Sequence, residues 1–426
     1  MFNKFSQILK LKDLRNSILF VLGILVISRI AAVIPIPGID AVGLKNMFAS
    51  NQILGLMNIF SGGAMSNFSV VMLGVGPYIT ASIIFQLLAM VVPSLEELSK
   101  EGEYGRNKIN MWTRWLSVPL AAMQAFGMIQ ILKNSSGGSQ IFSNFHSYDL
   151  LIAIVAATAG TVFIMWLGEL ISEKKIGNGI SLMIFAGIVS GLPSAVSKMI
   201  FNYSTSEMVN LVIFAIIALI TIAAVVIITE GQRNIPVQYA RQIRGNRTIG
   251  GVTTHLPLRV NMAGVIPIIF AISIILVPPT VAQLFMGVKT AWLSQGAQWV
   301  IRLFQDQLFY GIAYFVLVVA FTYFYTAVIF HPDQIAENLQ KQGGFVPGIR
   351  PGQPTADYLQ GIVGKIILTG ALFLGLIAIL PLITAQLTGT QSLVIGGTSL
   401  LIVVSVVIET VNQINAQLSM RDYEEI

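Results

Sequence analysis

The chain has 426 residues, 55% of them hydrophobic and only 10% charged, with a mean hydropathy of +0.78. A soluble chain of this length carries about a quarter charged residues, so the composition excludes a soluble globular enzyme and defines an all-α polytopic membrane protein. The net charge is +6 and cysteine is absent, which excludes disulfides, thiolate chemistry and cysteine-ligated metal.

In chain order, Lys4, Lys10, Lys12 and Arg15 precede the first apolar run, which ends in Ile34-Pro35-Ile36-Pro37-Gly38 with no small-residue cleavage site. It is therefore expected to stay as a span and not to be removed as a signal peptide. Ten runs can cross a core of about 30 Å, at roughly 17–34, 69–92, 112–132, 150–171, 180–200, 208–229, 260–280, 308–330, 361–380 and 393–412. Between the first two lies a Gly-punctuated piece, residues 54–68, expected as a short helix that cannot span. The second span opens with Gly76-Pro77 and carries Thr80, Ser82 and Gln86; its Ile79 and Ile83, four apart, share one helix face. The fifth is interrupted by Gly187, Gly191 and Pro193, and the eighth is rich in Phe and Tyr.

Lys and Arg fix the orientation. With the N-terminus in the cytosol, Lys45, Lys133, Lys198, Lys289 and Arg302 fall outside, Arg29 lies near the outer end of the first span, and every other Lys and Arg falls inside. That asymmetry places both termini in the cytoplasm. Two inner loops are longer than joining helices requires. Residues 230–259 carry five arginines, among them Arg233, Arg241, Arg244 and Arg247; residues 331–361 are rich in Gly and Pro and include Arg350. Long loops in compact proteins are usually functional or disordered. Charge alone leaves two readings of the first loop: topology plus contact with anionic lipid, or a docking surface.

The ten spans read as two related halves, residues 1–203 and 204–426. Gly179-Ile180-Ser181-Leu182-Met183-Ile184 in span five recurs as Gly397-Thr398-Ser399-Leu400-Leu401-Ile402 in span ten, and Pro77-Tyr78-Ile79 in span two resembles Pro267-Ile268-Ile269 in span seven. Five spans per half invert the second half relative to the first, and inverted repeats place the working site at their interface near the midplane. The residues there are Ile79, Ile83, Ile184, Ile188, Ile269 and Ile402. A ring of branched aliphatics holds back water and ions by dewetting and makes no specific polar demand on a passing chain; ordinary helix packing is the alternative. No ionisable residue falls at the middle of any span, whereas an ion-coupled transporter needs such groups. His146, His255 and His331 form no metal motif, and no phosphate-binding P-loop is present. No catalytic residue, metal, cofactor or direct nucleotide binding is expected. A small-solute transporter and an intramembrane enzyme are the rival classes.

Several stretches carry a resemblance to a known family along nearly the whole chain: Ile34-Pro35-Ile36-Pro37-Gly38, Asn58-Ile59-Phe60-Ser61-Gly62-Gly63-Ala64, residues 76–88, Gly177-Asn178-Gly179-Ile180-Ser181, residues 254–267 and residues 345–352. The chain resembles the SecY / Sec61-alpha family of protein-translocation channels. The resemblance implies ten helices in a clamshell around an hourglass pore, in the cell inner membrane. It implies a plug over about 55–67, with Gly55, Asn58, Phe60, Gly62, Gly63 and Asn67, and a pore ring at the six isoleucines. It also implies a lateral gate of spans two and three against seven and eight, with Gln86 and Gln124 as polar contacts. The two long loops would dock the SecA ATPase and the ribosome, with Arg350 facing the motor. Signal sequences, nascent membrane proteins and the SecE and SecG subunits are the other implied partners. The chain departs from the family in lacking basic residues at 230 and 234 that relatives often carry.

Overall fold

The computed structural model describes residues 11–37, 39, 41–50, 58, 61–134, 146–201, 205–239, 242–244, 247–249, 253–275, 277–285, 290–388 and 397–424. The chain runs α1 (Lys12–Ala31), α2 (Ala41–Ser50), α3 (Gly76–Val91), α4 (Pro93–Lys100), α5 (Glu103–Asn134), α6 (Ser147–Glu173), α7 (Gly179–Phe201) and α8 (Thr205–Glu230). Strands β1 (Gln232–Tyr239), β2 (Gln242–Arg244), β3 (Arg247–Ile249) and β4 (Thr253–Arg259) follow. Then come α9 (Ile266–Ile275), α10 (Val277–Phe285), α11 (Ala291–Gln305), α12 (Gln307–Ile329), α13 (Pro332–Lys341), β5 (Gly344–Phe345), α14 (Gln353–Thr388) and α15 (Gly397–Glu424).

Among the described residues, six helices are long and apolar enough to cross a membrane: α1, α5, α6, α12, α14 and α15. They are seven if the bent pair α3–α4 is one span. Shorter apolar helices, Gly179–Gly191, Ala215–Glu230 and Ile266–Pro279, fall at the fifth, sixth and seventh expected spans. The 108° bend between α3 and α4 sits at Val92, whose backbone is extended, as the residue before a proline prefers.

Within the first five spans α3 packs on α5, α5 on α6, α6 on α7, and α1 on both α6 and α7. Within the remainder α12 packs on α14 and α9, and α15 on α8 and α14. Two seams join these groups: α3 and α5 meet α9 and α10 on one side, and α7 meets α15 on the other. Small residues allow the closest approaches. A Cβ on Gly160 in α6 would collide with the Val70 carbonyl, and one on Gly179 would collide with the Gly168 carbonyl. Such backbone-to-backbone contacts drive helix association where lipid offers no hydrophobic contrast. Gly179→Val is therefore expected to separate α6 from α7 and to lower the melting temperature of the detergent-solubilised protein. A surface substitution such as Leu219→Val (Leu219 is 68% exposed) should leave it unchanged.

The two long stretches expected as loops, 230–259 and 331–361, carry strands that meet in one sheet. Strands β4, β1 and β5 form one antiparallel sheet in that order, with Gln232 opposite Arg259 and Gln238 opposite Phe345. Along β1, Ile235 and Val237 point inward and their neighbours outward, the period of two of a half-buried strand. They pack with Leu258, Val346 and Leu359 at the base of α14.

Candidate functional site

Each isoleucine of the expected ring lies in the first three turns of its helix, so the helix starts place the ring. At α7, the Asn178 side-chain oxygen accepts from the Ile180 and Ser181 amides at 3.1 and 3.2 Å, an N-cap, and the Gly179 amide donates to Ser172 Oγ at 3.0 Å. At α3, Pro77 occupies the first turn, where its missing N–H costs nothing. At α9, Gly264 turns the chain with φ +63° and the Val265 carbonyl accepts from Ile268 and Ile269 at 3.1 and 3.3 Å.

All six fall in the main apolar core. Ile79, Ile83, Ile184, Ile188 and Ile402 are buried in it, and the half-buried Ile269 packs against it. Four of them, Ile79, Ile83, Ile184 and Ile269, also line a cavity of about 460 Å³ bounded by α3, α5, α7, α9, α10, α12 and α14 and by the segment before α3. Its polar lining is sparse: Ser61, Thr80, Gln124 and Ser273 are the side chains with amide or aliphatic hydroxyl groups. Such a lining offers an ion few coordinating groups.

Next to the ring lies the segment read as a plug. Gly55 and Phe60 fall outside the described residues. The short helix expected over 54–68 does not run through its second half: Asn58 is helical, but residues 61–68 are turns. Gly62 and Gly63 have φ of +64° and +81°, left-handed values that a helix does not use and that glycine adopts freely. Side chains close the turns. Asn58 Oδ1 accepts from the Ser66 amide at 2.8 Å, and its carbonyl accepts from the Gly63 amide at 2.8 Å and from Ser61 Oγ at 2.9 Å. Asn67 is half-buried at the end of the knot. The Ile34-Pro35-Ile36 motif anchors it. The Ile36 amide donates to the Phe68 carbonyl at 2.8 Å and the Val70 amide to the Ile34 carbonyl at 3.1 Å.

The expected gate glutamines bond within the first five spans. Gln124 Nε2 on α5 donates to Thr80 Oγ1 on α3 at 3.4 Å, and Gln86 Nε2 donates to Ser82 Oγ on its own helix at 3.0 Å. Gln86 Oε1 is buried with no protein partner. Arg233 is exposed on β1 and Arg350 is exposed on the turn after β5. Arg244 and Arg247 stand directly opposite each other in the β2–β3 ladder, and Arg241 lies outside the described residues. Reading the sequence missed Arg29, whose guanidinium contacts both the plug segment and α7. The one available signal was a lone cation inside an apolar run.

The helices and the apolar chamber define a multi-pass helical membrane protein with an apolar cavity at its centre. The SecY family model matches residues 69–411. The chain is 42% identical over 440 residues to the "Protein translocase subunit SecY" of Streptomyces galbus, covering 100% of this chain and 99% of that one. The same-named protein of Mycobacterium leprae is 43% identical over 441 residues, with the same shares covered. The solved structure of a protein-conducting channel superposes with a TM-score of 0.64 at 18% identity, over 93% of this chain and 91% of the other. One in which the SecY plug domain stabilises the closed state gives 0.60, over the same shares of the two chains. The chain belongs to the SecY family.

Proposed function

We propose that this chain is the pore subunit of a protein translocon in the cell inner membrane, with ten spans in two inverted halves, 1–203 and 204–426. It conducts unfolded polypeptides across the bilayer and releases apolar segments sideways into lipid. The observation that carries the reading is the placement of four of the six isoleucines, from α3, α7 and α9, on the wall of one apolar cavity, with Ile188 and Ile402 buried in the same core. The two seams support the clamshell: α3 and α5 against α9 and α10 as the gate, α7 against α15 as the hinge. The names of the relatives support the substrate class. Work comes from outside the channel, from the SecA ATPase or a docked ribosome at the β1–β4 sheet and Arg350. SecE and SecG hold the halves together, anionic lipids face the basic inner side, and both termini are cytoplasmic. Partition through the gate is a transfer free energy of about 0.8 kcal/mol per buried CH₂, so apolar length decides between secretion and insertion.

The chain has no cysteine, so single cysteines are clean probes. Ile184→Cys and Ile402→Cys are expected to crosslink to a stalled secretory precursor carrying a reactive thiol, and Leu219→Cys, on the lipid-facing side of α8, is not. Equal crosslinking at all three positions, or none at the isoleucines, would remove the pore reading.

A further inference from the structure

Arg29 sits two residues from the end of α1, where its guanidinium enters an apolar wall. Nη1 donates to the Gly62 carbonyl at 3.4 Å and to Ser190 Oγ on α7 at 3.3 Å. Nε is buried with no protein partner. No carboxylate pairs with Arg29 among the described residues. The same side chain lines a void of about 20 Å³ together with Ser61, Val75, Ile164 and Ile184, so it also touches the wall of the isoleucine cluster.

The backbone is built to let one side chain reach both sides. A Cβ on Gly62 would collide with Arg29 Nη1 and lie 2.6 Å from Gly187 Cα; a Cβ on Gly187 would lie 3.3 Å from Gly62 Cα. Two glycines thus bring the turn knot and α7 into direct contact, and Arg29 bonds across the junction. Burying a charge is costly unless it is paired and hydrogen-bonded. Here the charge has only neutral acceptors, at distances beyond the usual 2.7–3.2 Å of an N–H···O bond. The contact holds, and it also releases easily, because a freed guanidinium regains water.

We propose that Arg29 is the latch of the resting channel, a positioning residue that ties the plug segment to α7 through Gly62 and Ser190 and lets go when the plug is displaced. The latch rests on reading residues 55–67 as the plug. It assigns the closed state to a specific bond between neutral oxygens and one cation, in addition to apolar packing.

The test uses the full-length chain with its co-purified partners in liposomes, carrying Met65→Cys, at a buried position of the knot, as the sole thiol of this chain. With Arg29 intact, the thiol introduced by Met65→Cys is expected to react slowly with a membrane-impermeant thiol reagent. In Arg29→Leu the labelling rate and the resting ion conductance should each rise roughly tenfold, the loss of one charge-assisted hydrogen bond. Arg29→Lys, which keeps the charge on a side chain one bond shorter than the reach to Nη1, should fall between the two. Ser190→Ala, which removes one acceptor and keeps the charge, should give a smaller rise and decides the matter if Arg29→Leu does not assemble. Labelling and conductance unchanged in Arg29→Leu, or in Ser190→Ala where that variant decides, overturn the latch. If serine substitutions in the isoleucine cluster leak while Arg29→Leu stays tight, the latch alone is wrong. If neither leaks, the pore reading fails and the latch fails with it.

Discussion

Reconstituted channels in which Ile79, Ile83, Ile184 and Ile188 are all changed to serine are expected to conduct ions at rest roughly a hundredfold more than the parent. A hydroxyl left without a partner in an apolar site costs about 1–3 kcal/mol, and water entering the ring would relieve that cost at each serine. Lowering the barrier to wetting by about 3 kcal/mol raises a rate roughly a hundredfold. The substitutions also remove packing from side chains that are almost fully buried, Ile83 at 2% and Ile188 at 3% exposure, so a leak by itself could report loosened helices. The comparison of threonine with valine at the same four positions separates the two causes. The side chains have the same shape and differ by one hydroxyl in place of a methyl. Packing loss predicts equal conductance from both sets; wetting predicts that threonine leaks and valine stays tight. Equal conductance would mean that these residues are helix packing and nothing more.

The isoleucine cluster was legible because hydropathy located the helices and because Pro-x-Ile and Gly-x-Ser repeats matched between halves; those signals are local. Ile188 and Ile83 followed from the spacing of four on a helix. The conformation of the segment read as the plug was legible only in part. Its apolar content suggested a helix, and Asn58 is helical, but Gly62 and Gly63 take left-handed φ values, and bonds of Asn58 and Ser61 help to hold residues 61–68 as turns. The sheet was within reach and was missed. Ile235 and Val237 alternate with polar neighbours, as strands do, within a stretch whose arginines and glycines also fit a charged loop. That β5 joins β1 was beyond any local signal, since the partners lie about a hundred residues apart in sequence. The same holds for Arg29, whose two acceptors are 33 and 161 residues away. Periodicity reports which face is buried; it does not report what the face meets.

Arg350→Glu is expected to abolish motor-driven export while leaving the subunit folded and inserted. The side chain stands on a rigid base. Gly348 and Gly352 flank it with φ of +81° and +95°, Thr355 Oγ1 donates to the Arg350 carbonyl at 2.8 Å, and the Ile349 amide donates to the Val346 carbonyl at 3.0 Å. Val346 is buried with Ile235 and Leu359 under the sheet. The turn is therefore held by backbone bonds and a small core, none of which uses the guanidinium, and Arg350 makes no ion pair among the described residues. An exposed substitution of this kind changes stability by about 0.5 kcal/mol or less. An arginine presented from a fixed turn is in contrast suited to be an interface hot spot, worth about 2 kcal/mol or more. Losing that, and adding like-charge repulsion against an acidic partner, lowers motor affinity by at least about thirtyfold. The measurement is ATP-dependent uptake of a precursor into vesicles, read beside the amount of inserted chain and the binding of the motor. Arg350→Lys should keep part of the affinity, because the charge remains and the bidentate fork is lost. Normal uptake by Arg350→Glu would reduce Arg350 to an ordinary loop residue, and the motor would have to dock elsewhere on the β1–β4 sheet, where exposed Arg233 is the next arginine to reverse.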